Sequence, residues 1–279
     1  MVVDVFVRGK VKRFIFMALI ILVTFLAFAP ILWLILNAFK TKADILAIPP
    51  KWFFTPTLEN FRDAIRARDF FKAYTNSIII CASSVFIGLV FGVPMAYGLS
   101  RFNFKGKNGF AFWVLSTRFA PPVFVLVPFF MIFRSLSLVD TKLGMIIIYL
   151  IICLPLIVWV MYSFFRDVPI ELEEAALVDG ARPFQVFTQI SLPIVAPGIV
   201  AVAILAAILC WNDLIFAVVL SSHNAKTMPI TISSFASYME IIWGGMAASS
   251  TIALVPILIF TLFIQKYLVA GLTFGAVKN

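Results

Sequence analysis

The sequence predicts an all-α membrane protein of six transmembrane helices, and three observations carry that prediction. The chain is 63% hydrophobic and only 13% charged over 279 residues, with a mean hydropathy of +1.08. A soluble domain is nearer half apolar and a quarter charged. The apolar residues also gather into six separate runs, each long enough to cross a bilayer, which takes about 20 helical residues. Finally, the runs are continuous in Leu, Ile, Val and Phe rather than alternating. Backbone in lipid must bond to itself, so each run is read as a helix and not as a barrel strand.

The first run, residues 14–36, follows "RGKVKR" and contains "AFAP", a loose imitation of a signal peptide and its cleavage site. It continues through "ILWLIL", longer than an ordinary signal core, and is read as an uncleaved span. A polar segment follows, stiffened by Pro49, Pro50 and Pro56. Within it "TLENFRDAIRARDFF" reads as a short amphipathic helix, with Leu58, Phe61, Ile65 and Phe70 at near-helical spacing and Thr57 as its cap. The remaining spans are 77–99, 110–133, 143–165, 194–220 and 246–269. The second carries a GxxxG face at Gly88 and Gly92, suited to close helix contact. Prolines stand inside the runs at 30, 94, 121, 122, 128, 155, 197 and 256. Each removes a backbone donor, as in bent helices around a solute path or in ordinary bundle packing.

The net charge of +9 lies in short connectors, with no Arg/Lys stripe of the kind that binds nucleic acid. Clusters at Arg8, Lys10, Lys12 and Arg13, and at Arg101, Lys105 and Lys107, favour cytoplasmic termini. Seven basic residues in the long first loop oppose that, so charge alone leaves orientation open. Cys81, Cys153 and Cys210 lie in three different runs, and His223 is the only histidine, so no zinc spacing arises. The cysteines are read as small buried hydrophobes.

Between the fourth and fifth runs, residues 166–193 turn acidic, small and turn-forming. A helix is predicted from Asp167 to Asp179, with Asp167 as cap, Pro169 in its first turn, and Glu171, Glu173 and Glu174 at the positive end of its dipole. Gly180 is a left-handed terminator and Pro183 forbids continuation. At roughly 18 Å this helix is too short to span. A second short helix is expected from Pro183 to Ser191. Ala175 and Ala176 allow close approach by another surface, and the carboxylates offer charge to pair with.

The spacing Glu174-Ala175-Ala176-x3-Gly180-x9-Ile190-x-Leu192-Pro193 resembles the EAA loop of permease subunits in binding-protein-dependent ABC importers. "YTNS", "AYGLSRFNFKGK", "WNDLIFAVVL", "TMPITISSF" and "LVAGLTFGAVKN" are similar to the carbohydrate branch, the family of the shorter maltose permease subunit. The resemblance implies one transmembrane domain over 14–270, between a cytoplasmic N-terminus at 1–13 and a cytoplasmic tail at 271–279. It makes 166–193 a cytoplasmic coupling loop. In that loop Glu174, Ala175, Ala176 and Gly180 touch an ATPase subunit, supported by Ile190, Leu192 and Pro193. The tail from Gly275 to Asn279 also reaches toward the ATPases.

The same resemblance implies the partners: a homologous second permease subunit, two ATPase subunits, an extracytoplasmic solute-binding protein and the lipid of a bacterial or archaeal inner membrane, with no nucleic acid. The chain is expected to be a transport subunit and not an enzyme, without a cofactor of its own. Its nearest approach to a P-loop, "RFNFKGKN", lacks the leading Gly and the final Ser or Thr, so ATP and magnesium belong to the ATPase subunits.

Polar groups inside spans face an interior or a cavity. Arg118, just before Pro121 and Pro122, either lines the solute path or satisfies carbonyls those prolines free. Trp211, Asn212 and Asp213 offer an aromatic plate, an amide and a carboxylate, the groups that hold a polyhydroxyl solute. Asp213 serves equally as a structural partner for a neighbouring helix or for Arg118. An ion-coupled carrier is the competing class. It normally needs buried carboxylates at mid-membrane, and Asp213 is the only acid in any predicted span. No hydrolase motif supports a membrane enzyme.

Overall fold

The computed structural model describes residues 10–66, 69–237 and 240–275, with side-chain surroundings within 13–262. The basic residue Arg8 and the tail beyond Gly275 lie outside the described residues. The regular structure is helical, apart from an isolated bridge between Ala236 and Ile241. In order the helices are α1 (Lys10–Ala38), α2 (Lys42–Ile45), α3 (Glu59–Arg66), α4 (Phe70–Arg101), α5 (Lys107–Ser116), α6 (Pro122–Ser135), α7 (Lys142–Asp167) and α8 (Ile170–Val178). Then come α9 (Pro183–Ile194), α10 (Ala196–Trp211), α11 (Ile215–Leu220), α12 (Met228–Ser233) and α13 (Trp243–Gly275).

Four of these are long and apolar enough to cross a membrane: Arg13–Ala38 of α1, α4, α7 and Trp243–Leu262 of α13. The predicted third and fifth spans are not single helices. The third is divided into α5 and α6 by a turn at 117–121. Consecutive prolines explain the break, since each forces the residue before it out of the helical region, and Pro121 is extended at φ −59°, ψ 132°. The fifth is divided into α10 and α11 at Asn212, Asp213 and Leu214, and α9 meets α10 at a bend of 73°.

The chain forms two compact units. In the first, residues 1–68 and 234–252, α3 packs through Ala64 and Phe61 against Ala38, Phe39, Ala247 and Ala248. Asn60 donates its amide to the carbonyls of Ala38 (3.0 Å) and Lys40 (2.7 Å). The amphipathic helix is described over Glu59–Arg66, with Leu58 and Ile65 exposed, and Phe70 belongs instead to α4, buried as its first residue. The Thr57 hydroxyl does accept from the Glu59 amide at 3.2 Å. Lys40, counted above among the loop charges, is buried with its ammonium 4.0 Å from the Trp33 ring centroid.

In the second unit, residues 69–233 and 253–279, α4, α7 and α10 pack together around Ile80, Met145, Ile148, Ile157, Met161 and Val202. The GxxxG face is where α4 meets α7. A Cβ on Gly88 or Gly92 would stand 2.8 or 2.7 Å from Ile157. Gly198 of α10 is as tight, with its Cβ 2.7 Å from two atoms of the Phe164 ring, a flat and rigid group. Gly198→Ala is expected to destabilise the bundle by about 1–3 kcal/mol through overpacking, read as a lower thermal midpoint in detergent. Gly98→Ala, with nothing within 4 Å of the new Cβ, is the control that leaves the midpoint unlowered.

The loops of this unit gather at opposite ends of α4 and α7. Near the start of α4, Asn76 donates to the carbonyls of Asn224 (2.9 Å) and Lys226 (3.0 Å), and Asp140, just before α7, binds residues 222–225. At the other end Arg101 closes α4, and α8 and α9 follow α7. Residues 76 and 101 are about 37 Å apart along an α-helix, the depth of a membrane.

Candidate functional site

Helix α8 begins at Ile170, not at Asp167. Val168 precedes Pro169 and is held extended (φ −77°, ψ 122°), so α7 runs on to Asp167 and the next helix is delayed. Pro169 is the residue flanking α8, and no side chain caps that start. The C-terminus is built as predicted. Gly180 sits at φ +90°, its N–H donates to the Leu177 carbonyl (3.1 Å), and the Ala181 N–H reaches back to Ala176 (2.9 Å). That pair of bonds is the Schellman ending, which places glycine where a side chain would strain the backbone.

Helix α9 runs past the predicted Ser191 to Ile194. Its middle, Val186–Ser191, is a wide π-type turn in which the Leu192 N–H donates to the Phe187 carbonyl five residues back. Pro193, having no N–H, leaves the regular ladder incomplete there. The wide turn carries Ser191 to the inside.

These two helices present an outer and an inner face. Outward lie Glu174, Ala175, Gly180 and Pro193, with Ala176, Ile190 and Leu192 half-buried. Two apolar side chains not chosen from the sequence share the outer surface, Val178 at 87% exposure and Phe184 at 74%. The signal for them was present as apolar residues inside an otherwise polar loop. Exposed apolar groups beside small residues are what a protein partner covers.

Inward lies Glu173, only 5% exposed. Arg101 Nε donates to both of its carboxylate oxygens at 2.9 Å, Ser191 Oγ donates to Oε1 at 2.7 Å and Tyr97 Oη to Oε2 at 3.2 Å. The Arg101 guanidinium also donates to the Val168 carbonyl at 2.9 Å. Tyr97 is wedged against Phe187 and Phe165, ring centroids 4.8 and 5.3 Å away. From the sequence Glu173 was one of three carboxylates near a helix start, and nothing local distinguished it.

The solute-path candidates cluster at the two helix breaks. Arg118 lies exposed in the turn between α5 and α6, and Asn212 lies exposed between α10 and α11. The half-helices after the breaks, α6 and α11, pack on each other, with Phe129 and Phe216 at 6.3 Å. Trp211 is not the open plate expected. It is 5% exposed and stands edge-on to Tyr74 at 6.1 Å, so the core holds its faces. Asp213 Oδ2 accepts the Ala217 N–H at 3.2 Å, which caps the start of α11, and its carbonyl accepts from Tyr149 at 3.4 Å. Among the described residues no ion pair joins it to Arg118. The Asn212 amide donates to the Ile208 carbonyl at 2.8 Å. Cys81, Cys153 and Cys210 are buried free thiols, and no group of three metal-binding side chains occurs among the described residues.

Residues 88–274 match the family described as binding-protein-dependent transport system inner membrane component. The chain is 38% identical over 259 residues to the trehalose transport system permease protein SugB of Mycobacterium tuberculosis, covering 91% of this chain and 93% of that one. It is 33% identical over 252 residues to the diacetylchitobiose uptake system permease protein DasC of Streptomyces coelicolor, covering 90% and 91%. Its backbone follows that of a chain in a bacterial ABC transporter involved in the import of the acidic polysaccharide alginate. The TM-score is 0.75 over 94% of this chain and 99% of that one, at 21% identity, a likeness of fold.

Proposed function

This chain belongs to the family of binding-protein-dependent transport inner membrane components, and from that premise we propose that it imports a sugar, oligosaccharide or sugar alcohol as the permease subunit of an ATP-driven complex. Its partners are a second permease chain, two ATPase subunits and an extracytoplasmic binding protein. The carbohydrate class rests on relatives that carry trehalose and diacetylchitobiose. The observation that carries the mechanism is the outer face of α8 and α9, where Glu174, Ala175, Val178, Gly180 and Phe184 stand free at one end of the bundle.

In this reading α5 with α6 forms the third crossing, and α10 with α11 forms the fifth. Both are interrupted where backbone faces a cavity rather than lipid, the setting in which such breaks are tolerated at membrane depth. Six crossings would put both termini and α8 on one side, and reading α8 as the ATPase-docking helix makes that side the cytoplasm, with the 222–228 loop outside. ATP binding draws the ATPase subunits together, their surfaces carry α8 inward, and the bundle opens outward. The driving force is the difference in how tightly the ATPases hold each state. Arg118 and Asn212 are the path contacts, and Asp213 shapes the break that exposes Asn212.

The test is uptake by the complex reconstituted in liposomes with its binding protein, against a panel of disaccharides, polyols and sugar phosphates. Uptake of one carbohydrate is expected to require ATP inside and to survive an ionophore. Uptake that follows an imposed ion gradient without ATP would overturn the reading in favour of an ion-coupled carrier.

A further inference from the structure

Glu173 and Glu174 are neighbours in sequence with opposite surroundings, one buried and the other exposed. The buried carboxylate is bound by two segments at once, Tyr97 and Arg101 from the last turns of α4 and Ser191 from the π turn of α9, and Arg101 in turn donates to the Val168 carbonyl at the α7–α8 junction. The Glu173 and Arg101 side chains are 7% and 10% exposed. Elsewhere α8 meets the bundle at the Val168–Pro169 junction, at the left-handed Gly180 turn and by packing on the π turn of α9. The bonds of Glu173 tie α8 directly to the last turns of α4. Helix α4 in turn is one continuous helix packed along α7 at Gly88 and Gly92.

We propose that Glu173 and Arg101 are the positioning pair that passes a displacement of α8 to the inner end of α4, while Glu174 one residue on faces the ATPase. This rests on the reading of α8 as the docking helix. The pair holds the transmission stiff because it is buried and its carboxylate accepts from three side chains, and a buried ion pair opens far less readily than an exposed one. The aromatic packing of Tyr97, Phe165 and Phe187 keeps water from competing for it.

The experiment compares the reconstituted wild-type complex with Glu173→Gln, with the exchanged pair Glu173→Arg/Arg101→Glu, and with Ser191→Ala. Carbohydrate uptake per ATP hydrolysed is measured alongside retention of the ATPase subunits on purification. Glu173→Gln is expected to retain the ATPases and to hydrolyse ATP, with uptake per ATP lowered roughly tenfold, within the usual range of a coupling free energy. The exchanged pair is expected to recover part of that loss, and Ser191→Ala to lose roughly twofold. Unchanged uptake per ATP in Glu173→Gln overturns the proposal, and so does loss of the ATPases from that variant, which would make the pair a docking support only. If Glu173→Gln does not assemble, Ser191→Ala decides, and unchanged coupling there overturns it. A wild-type complex without ATP-dependent uptake would instead defeat the docking reading, a result distinct from either.

Discussion

Replacing Gly180 with valine is expected to lower carbohydrate uptake at least tenfold, about 1.4 kcal/mol in rate, while the chain still folds, inserts and assembles. The separation of the two effects comes from the surroundings of this glycine. An added Cβ meets nothing within 4 Å, so no core contact is disturbed. The cost is confined to the backbone: at φ +90° an L-residue is strained by about 1–2 kcal/mol, more when β-branched. That strain is relieved by giving up the bonds from Gly180 to Leu177 and from Ala181 to Ala176, which set the angle between α8 and α9. The outer face carrying Ala175 and Val178 then turns away from the ATPase subunit proposed to cover it. Gly180→Asn, a residue that tolerates the left-handed region, is expected to keep most of the activity. Membrane-fraction yield, ATPase rate and uptake measured together check this. A valine variant that transports at the wild-type rate would remove Gly180 from the coupling contact.

The second large effect is at the other end of the bundle. Asp140 Oδ1 accepts backbone N–H groups from Ser222 (2.8 Å), His223 (3.0 Å), Asn224 (3.0 Å) and Ala225 (3.2 Å), and Oδ2 accepts from Asn224 at 3.1 Å. Its own N–H donates to the Leu220 carbonyl at 2.7 Å. Partial burial pushes this carboxyl upward, but the N–H groups of Ser222, Asn224 and Ala225 outweigh it and hold the acid below the ordinary carboxylate range. Asp140→Ala frees the loop. Discounted for water reaching the released groups, the loss is about 3 kcal/mol.

It is expected as a lower thermal midpoint in detergent and as new protease cleavage within 222–226, with Asp140→Asn intermediate. Because the folded carboxyl is depressed, its contribution is full above the ordinary carboxylate range and is lost as pH falls through the depressed value. The stability difference between wild type and Asp140→Ala is therefore flat near neutrality and closes only in acid. An alanine variant with an unchanged midpoint and an intact loop would show that the contacts carry no weight.

Most of the architecture was legible locally. Hydropathy alone located α1, α4, α7 and α13, because a helix in lipid must be long and apolar whatever surrounds it. Pro121 and Pro122 break the third apolar run, which hydropathy reads as one span because it sums over a break that backbone sterics impose. The cap expected at Asp167 fails for a related reason. A residue of good capping type was present, but the Val168–Pro169 pair decided where the helix could begin. Trp211 was assigned to the solute path by its chemistry, whereas its burial depends on Tyr74, far away in sequence.

By itself the sequence determined how many apolar runs the chain has, the short helix between the fourth and fifth, and the left-handed turn at Gly180. Each follows from forces acting within one or two helical turns. Tertiary structure alone decided which of two adjacent glutamates turns inward, where an arginine 72 residues earlier awaits it, and that Asp140 binds a loop starting 82 residues later. The positive end of a helix favours Glu171, Glu173 and Glu174 alike. Only desolvation beside a fixed countercharge separates them, and that requires the folded bundle.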